Sequence, residues 1–403
     1  MDKLRIAWLS DFNSQGSGYF NISNHLANGL VAKGYDVKAV GLDYKGDEHN
    51  NSFGIIPAQG MKEAMGVLQN LATLWHYDVL VVALDITLQE VILRAISNRT
   101  FKYIGILPIE ADPLCMSWAM VLMQMDKAFI ISRFGTEECK KMNVEAEHIK
   151  IGVDAELWRM PKKSEKETIR NSYGIDKDAF VVLTVADNQE RKNLSRALQI
   201  FAGFSKQVPN SKYILVTREN AFVGWKLRDL AQDLKINDKF NVYERGLPQQ
   251  DLWNLYAISD AFLLTSKAEG LGMPMLEAQS MGLPCLATNC TGMAELLEDG
   301  KGILINHEHQ QDPENTYIDP FGNGHRYFAD LNDGINKLVA LYQGDRLQIV
   351  KKAHKFAKSR TWEVAVNQVE EAIVNMRINH EQETTFQIEK SKEQEPSEYI
   401  NTI

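Results

Sequence analysis

The chain has 403 residues and a mass of 45.7 kDa, more than one hydrophobic core ordinarily organises. Lys and Arg total 44 against 53 Asp and Glu, a formal charge of −9, with 44% hydrophobic and 24% charged residues. These values exclude a wholly disordered chain, a collagen-like repeat and a disulfide-knotted miniprotein, and they disfavour a protein whose main task is gripping nucleic acid through its phosphates.

The opening MDKLRIAWLSDF has too short an apolar run for a signal peptide and reads as a first strand, Arg5 to Ser10. A glycine-bearing loop follows, Asn13-Ser-Gln-Gly-Ser-Gly18, and then a helix with Ile22, Leu26 and Leu30 on one stripe, closed by Gly34. Further strands are predicted at Asp36–Leu42, Asp78–Leu84, Tyr103–Leu107 and Ala128–Ser132. Near-continuous apolar strands separated by helices mean a parallel sheet covered on both faces. The polar stretch 158–167, WRMPKKSEKE, reads as an interdomain linker. A second alternating series then places strands at Phe180–Val185, Tyr213–Val216, Asn241–Tyr243, Ala261–Leu264, Pro284–Ala287 and Gly302–Ile305. The expected architecture is two Rossmann-like, doubly wound α/β domains facing across a cleft. The first covers 1–157 and is completed by a helix at about 362–378; the second covers 168–361. Residues 306–327 read as a polar surface insertion. Residues 379–403, with six Glu and two Lys, read as a disordered acidic tail.

Four cysteines without a C-x-x-C pair fit free thiols in a reducing cytoplasm. No stretch approaches the roughly 20 apolar residues of a membrane span. His307, His309 and His325 lack a fourth ligand, and no D-x-D motif is present, so no metal is expected.

The most specific segment is Ser266-Lys-Ala-Glu-Gly-Leu-Gly-Met-Pro-Met-Leu-Glu-Ala-Gln-Ser-Met-Gly-Leu-Pro-Cys285, directly after a strand. A strand, a glycine turn and a helix N-terminus at the carboxyl edge of a parallel sheet make a site for anions, phosphates above all. Glu269 and Glu277 flank that site and suit sugar hydroxyls, since carboxylates repel phosphate. With Gly292-Met-Ala-Glu295, Asp299-Gly300, Val242-Tyr-Glu-Arg-Gly246 and Arg360-Thr-Trp362, the segment resembles the signature of retaining glycosyltransferases of family 4, which have the GT-B fold.

The resemblance implies a nucleoside-diphosphate sugar as donor, with no other cofactor, and sugar transfer of the hexosyltransferase kind. Glu269 would contact the donor sugar and Glu277 the ribose. Backbone near Gly270, Leu271 and Gly272 would hold the sugar and distal phosphate. In Val185-Ala-Asp-Asn188-Gln-Glu-Arg191-Lys192, Lys192 matches the family's diphosphate lysine. Asn188 stands where the family has an arginine, so Arg191 is the alternative charge. Gly16 and Gly18 would lie against the donor phosphates. Glu110 and Asp112, in a P-x-E-x-x-P form, and Ser132 are candidates for sugar or acceptor contact. Lys150 and Ile151 replace a Pro-His pair of the family. The alternatives are a non-catalytic sugar-nucleotide or glycan-binding relative, and a nicotinamide oxidoreductase, disfavoured because Asn21 occupies the third glycine position of the dinucleotide fingerprint. The acceptor (glycan, lipid-linked glycan, protein, small molecule or modified base), the donor base and sugar, and the oligomeric state stay open. The expected setting is cytoplasmic, free or peripheral at the inner membrane face.

Overall fold

The computed structural model describes residues 4–13, 18–110, 112–221, 224–307, 317–318 and 324–376. Seven parallel strands form the first sheet: β1 (Arg5–Asp11), β2 (Asp36–Leu42), β3 (Gly54–Ala58), β4 (Val79–Ala83), β5 (Lys102–Leu107), β6 (Lys127–Ile130) and β7 (Glu147–His148), in the order β3-β2-β1-β4-β5-β6-β7. Six parallel strands form the second: β8 (Phe180–Val185), β9 (Ser211–Thr217), β10 (Phe240–Glu244), β11 (Ala261–Leu264), β12 (Cys285–Thr288) and β13 (Ile303–Ile305), in the order β10-β9-β8-β11-β12-β13. Each order reverses direction once, between β1 and β4 and between β8 and β11. These are the switch points outside which open α/β sheets bind ligands. Strands β4 and β11 are buried along their whole length, as apolar runs covered on both faces require.

Two strands of the parallel sheets escaped the sequence reading. β3 carries Pro57, which the edge position tolerates, and β7 has only two residues and no apolar run. The stretch read as a linker is only partly irregular, because a helix begins inside it at Lys163 and runs to Ser172. Glu165 starts that helix by accepting from the Lys162 amide, 2.7 Å.

The helix at 362–376 crosses back to the first domain. Trp362 stacks on His25 with ring centroids 4.5 Å apart, Glu370 pairs with Lys33 at 2.6 Å, and Gln368 accepts from the Lys150 amide at 2.9 Å. Ile151 is fully buried and its carbonyl accepts from Arg360 Nε at 3.0 Å, so this position serves the domain junction. Three cysteines are buried and Cys115 is half-buried; all four are free. No helix among the described residues is long and apolar enough to cross a membrane. The tail, 379–403, lies outside the described residues, as does most of the insertion.

Candidate active site

The carboxyl edges of the two sheets enclose a cavity of about 400 Å³, within the range of small-molecule sites. The segments after β1, β4, β5 and β6 line one side, and those after β8, β9, β10 and β11 line the other.

Its centre is the loop 265–272 that joins β11 to the helix Met273–Ser280. Gly272 sits at φ 91°, the left-handed region that glycine enters without steric penalty, and Pro274 occupies the first helical turn, where its missing N–H is harmless. A Cβ at Gly270 would lie 2.3 Å from Pro108 Cβ of the first domain, so glycine here lets the domains meet. The loop is fastened from the neighbouring helix as well: the Glu269 amide donates to Thr291 Oγ1 at 2.9 Å, and the Gly292 amide donates to the Glu269 carbonyl at 3.1 Å.

The Glu269 side chain is 9% exposed. Its carboxylate accepts from Lys192 Nζ at 2.6 and 2.8 Å, Arg191 Nη1 at 3.1 Å and Ser266 Oγ at 2.6 Å. Burial alone would raise its pKa, but the Lys192 and Arg191 charges and these hydrogen bonds outweigh it and hold the carboxyl down at about 2. Burial and the adjacent Arg191 push the Lys192 ammonium below its ordinary value, against the pull of Glu269 and Glu110. Arg191 also reaches across the cleft to Glu110, 3.1 Å. Burial raises the Glu110 carboxyl, opposed by Arg191. Arg191 and Lys192 are therefore neutralised by carboxylates from both domains.

The structure thus brings Glu269, Gly270, Leu271, Gly272, Arg191, Lys192, Glu110 and Gly18 into one cavity. Gly16 lies outside the described residues. Three other candidates point elsewhere. Asn188 is fully buried and staples a loop: Nδ2 donates to the Trp225 carbonyl at 2.9 Å, and Oδ1 accepts from the Trp225 amide at 2.8 Å. Ser132 caps the helix Arg133–Lys141, its Oγ accepting from the Gly135 amide at 3.1 Å. Asp112 anchors the end of the insertion through the Tyr327 hydroxyl and the His325 amide. Glu277 does not reach the main cavity. It lines a smaller adjoining one with His25, Asn21 and Trp362, and accepts from Tyr256 Oη at 2.8 Å. Burial raises its carboxyl to about 7.

Four ionisable lining residues were given no role in the sequence reading: Tyr19, Asp85, and, within segments quoted there, Asp187 and Arg245. Each stands at or just beyond the carboxyl end of a strand or beside a flagged glycine, and that position was the available signal. Among the described residues no group of three or more His, Cys, Asp or Glu side chains is placed to hold a metal ion.

This arrangement meets its counterparts in known proteins. Residues 165–318 match the family described as Glycosyl transferases group 1. The match covers the second domain from its first helix to the insertion, and so includes every cavity residue on that side. An N-acetyl-alpha-D-glucosaminyl L-malate synthase of Bacillus anthracis is 26% identical over 165 residues, 41% of this chain and 41% of that protein. The aligned stretch therefore spans about two fifths of that relative's length. Among solved structures, sucrose-phosphate synthase from Thermosynechococcus elongatus superposes with a TM-score of 0.74 at 15% identity, covering 94% of this chain and 100% of that one. Anabaena Alr3699/HepE, solved in complex with UDP-glucose, gives 0.71 at 16% identity, over 92% and 100%. The fold is GT-B.

Proposed function

We propose that the chain is a retaining glycosyltransferase, moving a sugar from a nucleoside-diphosphate donor to an acceptor hydroxyl without a metal. The observation that carries this reading is the Glu269–Lys192–Arg191 cluster at a glycine loop and helix N-terminus, facing a cavity between two sheet edges. The match of residues 165–318 to Glycosyl transferases group 1 supports it.

In this reading Lys192 and Arg191 exchange their carboxylate partners for the donor diphosphate. They stabilise the charge that grows on it as the C1–O bond breaks. The backbone around Gly270 to Gly272, at the start of the helix Met273–Ser280, carries the positive end of the helix dipole toward the distal phosphate. Glu269 stays ionised at neutral pH, orients the sugar and favours its oxocarbenium-like state. The acceptor oxygen attacks C1 from the side the diphosphate leaves, and the acceptor's proton passes to the departing phosphate oxygen, so no protein nucleophile is needed. Glu277 is assigned to the ribose, reached from the adjoining cavity.

The test is a panel of UDP-, GDP- and ADP-sugars, read by thermal shift and by nucleoside diphosphate release, with the anomeric configuration of product followed by NMR. Release from one donor with retained configuration is expected. Tight binding without any release refutes the enzyme in favour of a binding protein, and inverted product refutes retention.

A further inference from the structure

The two sides of the cavity differ in charge. The second domain supplies its lining cations, Arg191, Lys192 and Arg245. The first domain supplies three ionisable side chains, Tyr19, Asp85 and Glu110, and among the described residues no Lys, Arg or His. Arg326 acts on Glu110 electrostatically, but it is 2% exposed and does not line the cavity. Arg245 lies 3.5 Å from Asp187 on the second domain's own side.

Tyr19 Oη donates to Asp85 Oδ1 at 2.5 Å, which fixes the carboxylate at the mouth of the loop after β4. Asp85 is exposed and lines the cavity, and a carboxylate that accepts one hydrogen bond keeps capacity to accept more. The phenol oxygen keeps acceptor capacity of its own. A wall of this kind takes groups that donate hydrogen bonds. An anionic group placed against it would meet Asp85 and Glu110 with no opposing charge from the first domain, since Arg191 and Lys192 are engaged by the diphosphate.

We propose that the acceptor received against this first-domain wall is an uncharged, hydroxyl-bearing one, with Asp85 and Tyr19 receiving its hydroxyls and excluding phosphate- or carboxylate-bearing analogues. The inference rests on the glycosyltransferase reading and adds the acceptor's chemical class to it. Asp85 is here a specificity-determining residue that touches the acceptor. Charge exclusion by an unpaired like charge is a common means of discrimination.

The experiment offers the full chain, with the donor that it hydrolyses, matched acceptor pairs: glucose and glucose 6-phosphate, glycerol and glycerol 3-phosphate, myo-inositol and inositol 3-phosphate. The uncharged member of at least one pair should accelerate nucleoside diphosphate release tenfold or more over hydrolysis, and its phosphorylated partner should not. Asp85→Asn should raise the KM for that acceptor about threefold to tenfold, leaving the donor KM unchanged. Asp85→Lys should narrow or reverse the discrimination against the phosphorylated member. Tyr19→Phe provides a second variant should the lysine disturb folding, with the same rise in acceptor KM expected. Preference for a phosphorylated member, equal use of both, or donor hydrolysis that no uncharged member accelerates overturns the assignment. A parent chain that binds no nucleoside diphosphate and hydrolyses no donor refutes the glycosyltransferase reading itself, an outcome visible before any acceptor is added.

Discussion

Replacing Glu269 by Gln separates the two roles that converge on one carboxylate. The side chain keeps its shape but loses the charge that sits between Lys192 and Arg191. Glu269 is held at about 2 against an ordinary 4.5. A folded-state pKa below the unfolded one contributes stability that is present above about pH 4.5 and lost as pH falls toward 2. At roughly 1.4 kcal/mol per unit, and with part of the interaction shared among three partners, the neutral variant should be on the order of 1–3 kcal/mol less stable at pH 7. That is a fall of a few degrees in Tm for a chain of this size. At pH 3 the gap should shrink. A nucleoside diphosphate returns negative charge to the orphaned Lys192 and Arg191, so UDP or GDP should raise the Tm of the variant by at least as much as that of the parent. Turnover should move the other way, falling roughly tenfold to a thousandfold, as with loss of other preorganised electrostatic groups. Thermal shift with and without nucleotide, beside a release assay, reads both effects. Parallel loss of nucleotide binding and turnover would refute the division of roles, as would normal turnover or a glycosyl adduct trapped on residue 269.

Lys192→Ala removes a direct charge-assisted contact, worth about 1.5–3 kcal/mol, and should weaken nucleoside diphosphate binding roughly ten- to a hundredfold by calorimetry; unchanged affinity would remove Lys192 from the diphosphate site. Glu277 has the opposite pH signature to Glu269. Its folded-state pKa of about 7 lies above the unfolded 4.5, so its contribution to stability falls as pH rises from about 4.5 to 7. Glu277→Gln should therefore be relatively more stable at pH 8 than at pH 5, by on the order of 1–3 kcal/mol in urea denaturation, while binding nucleotide less tightly; a pH-independent difference would contradict this. Gly270→Ala sets a methyl 2.3 Å from Pro108 Cβ and should cost about 1–3 kcal/mol and loosen the domain contact, seen as faster proteolysis or a larger radius in small-angle scattering. EDTA should leave donor hydrolysis unchanged, because side-chain cations serve the diphosphate; a loss restored by Mg²⁺ or Mn²⁺ would overturn that expectation.

The parts of the site legible in the sequence are those whose physics is local. Glu269, the glycines and Pro274 belong to one continuous strand–turn–helix unit, and Arg191 and Lys192 follow the end of one strand, so spacing alone placed them at a sheet edge. Asn188 stood equally close in sequence but faces away, because its carboxamide satisfies backbone groups of Glu219 and Trp225, partners 31 and 37 residues away that spacing does not reveal. Ser132 likewise fitted a site motif, and the structure shows it capping a helix. Asp85 was missed for the converse reason. It carries no motif, and its place follows from the sheet order, which sets β4 beside β1 at the switch point. The edge strands β3 and β7 lay below the periodicity signal for want of length and apolar runs.

The sequence reading held that Glu269 and Glu277, flanking a phosphate site, suit sugar hydroxyls, because carboxylates repel phosphate. In the cleft Glu269 has another use, and its companion there is Glu110, not Glu277. Arg191 and Lys192 are half-buried cations that would be costly without counter-charge, and Glu269 and Glu110 supply it from opposite domains. The Arg191–Glu110 pair at 3.1 Å spans the cleft, so a diphosphate that takes Arg191 exchanges a link between the domains for a link to the donor. The carboxylate thereby released lies on the wall assigned to the acceptor. Donor binding would then prepare the acceptor side, and Glu110→Gln gives the check. It should tighten nucleoside diphosphate binding, since the arginine no longer leaves an ionised partner, while raising the acceptor KM. A variant that binds nucleoside diphosphate more weakly than the parent would show that Glu110 and the donor do not compete for Arg191.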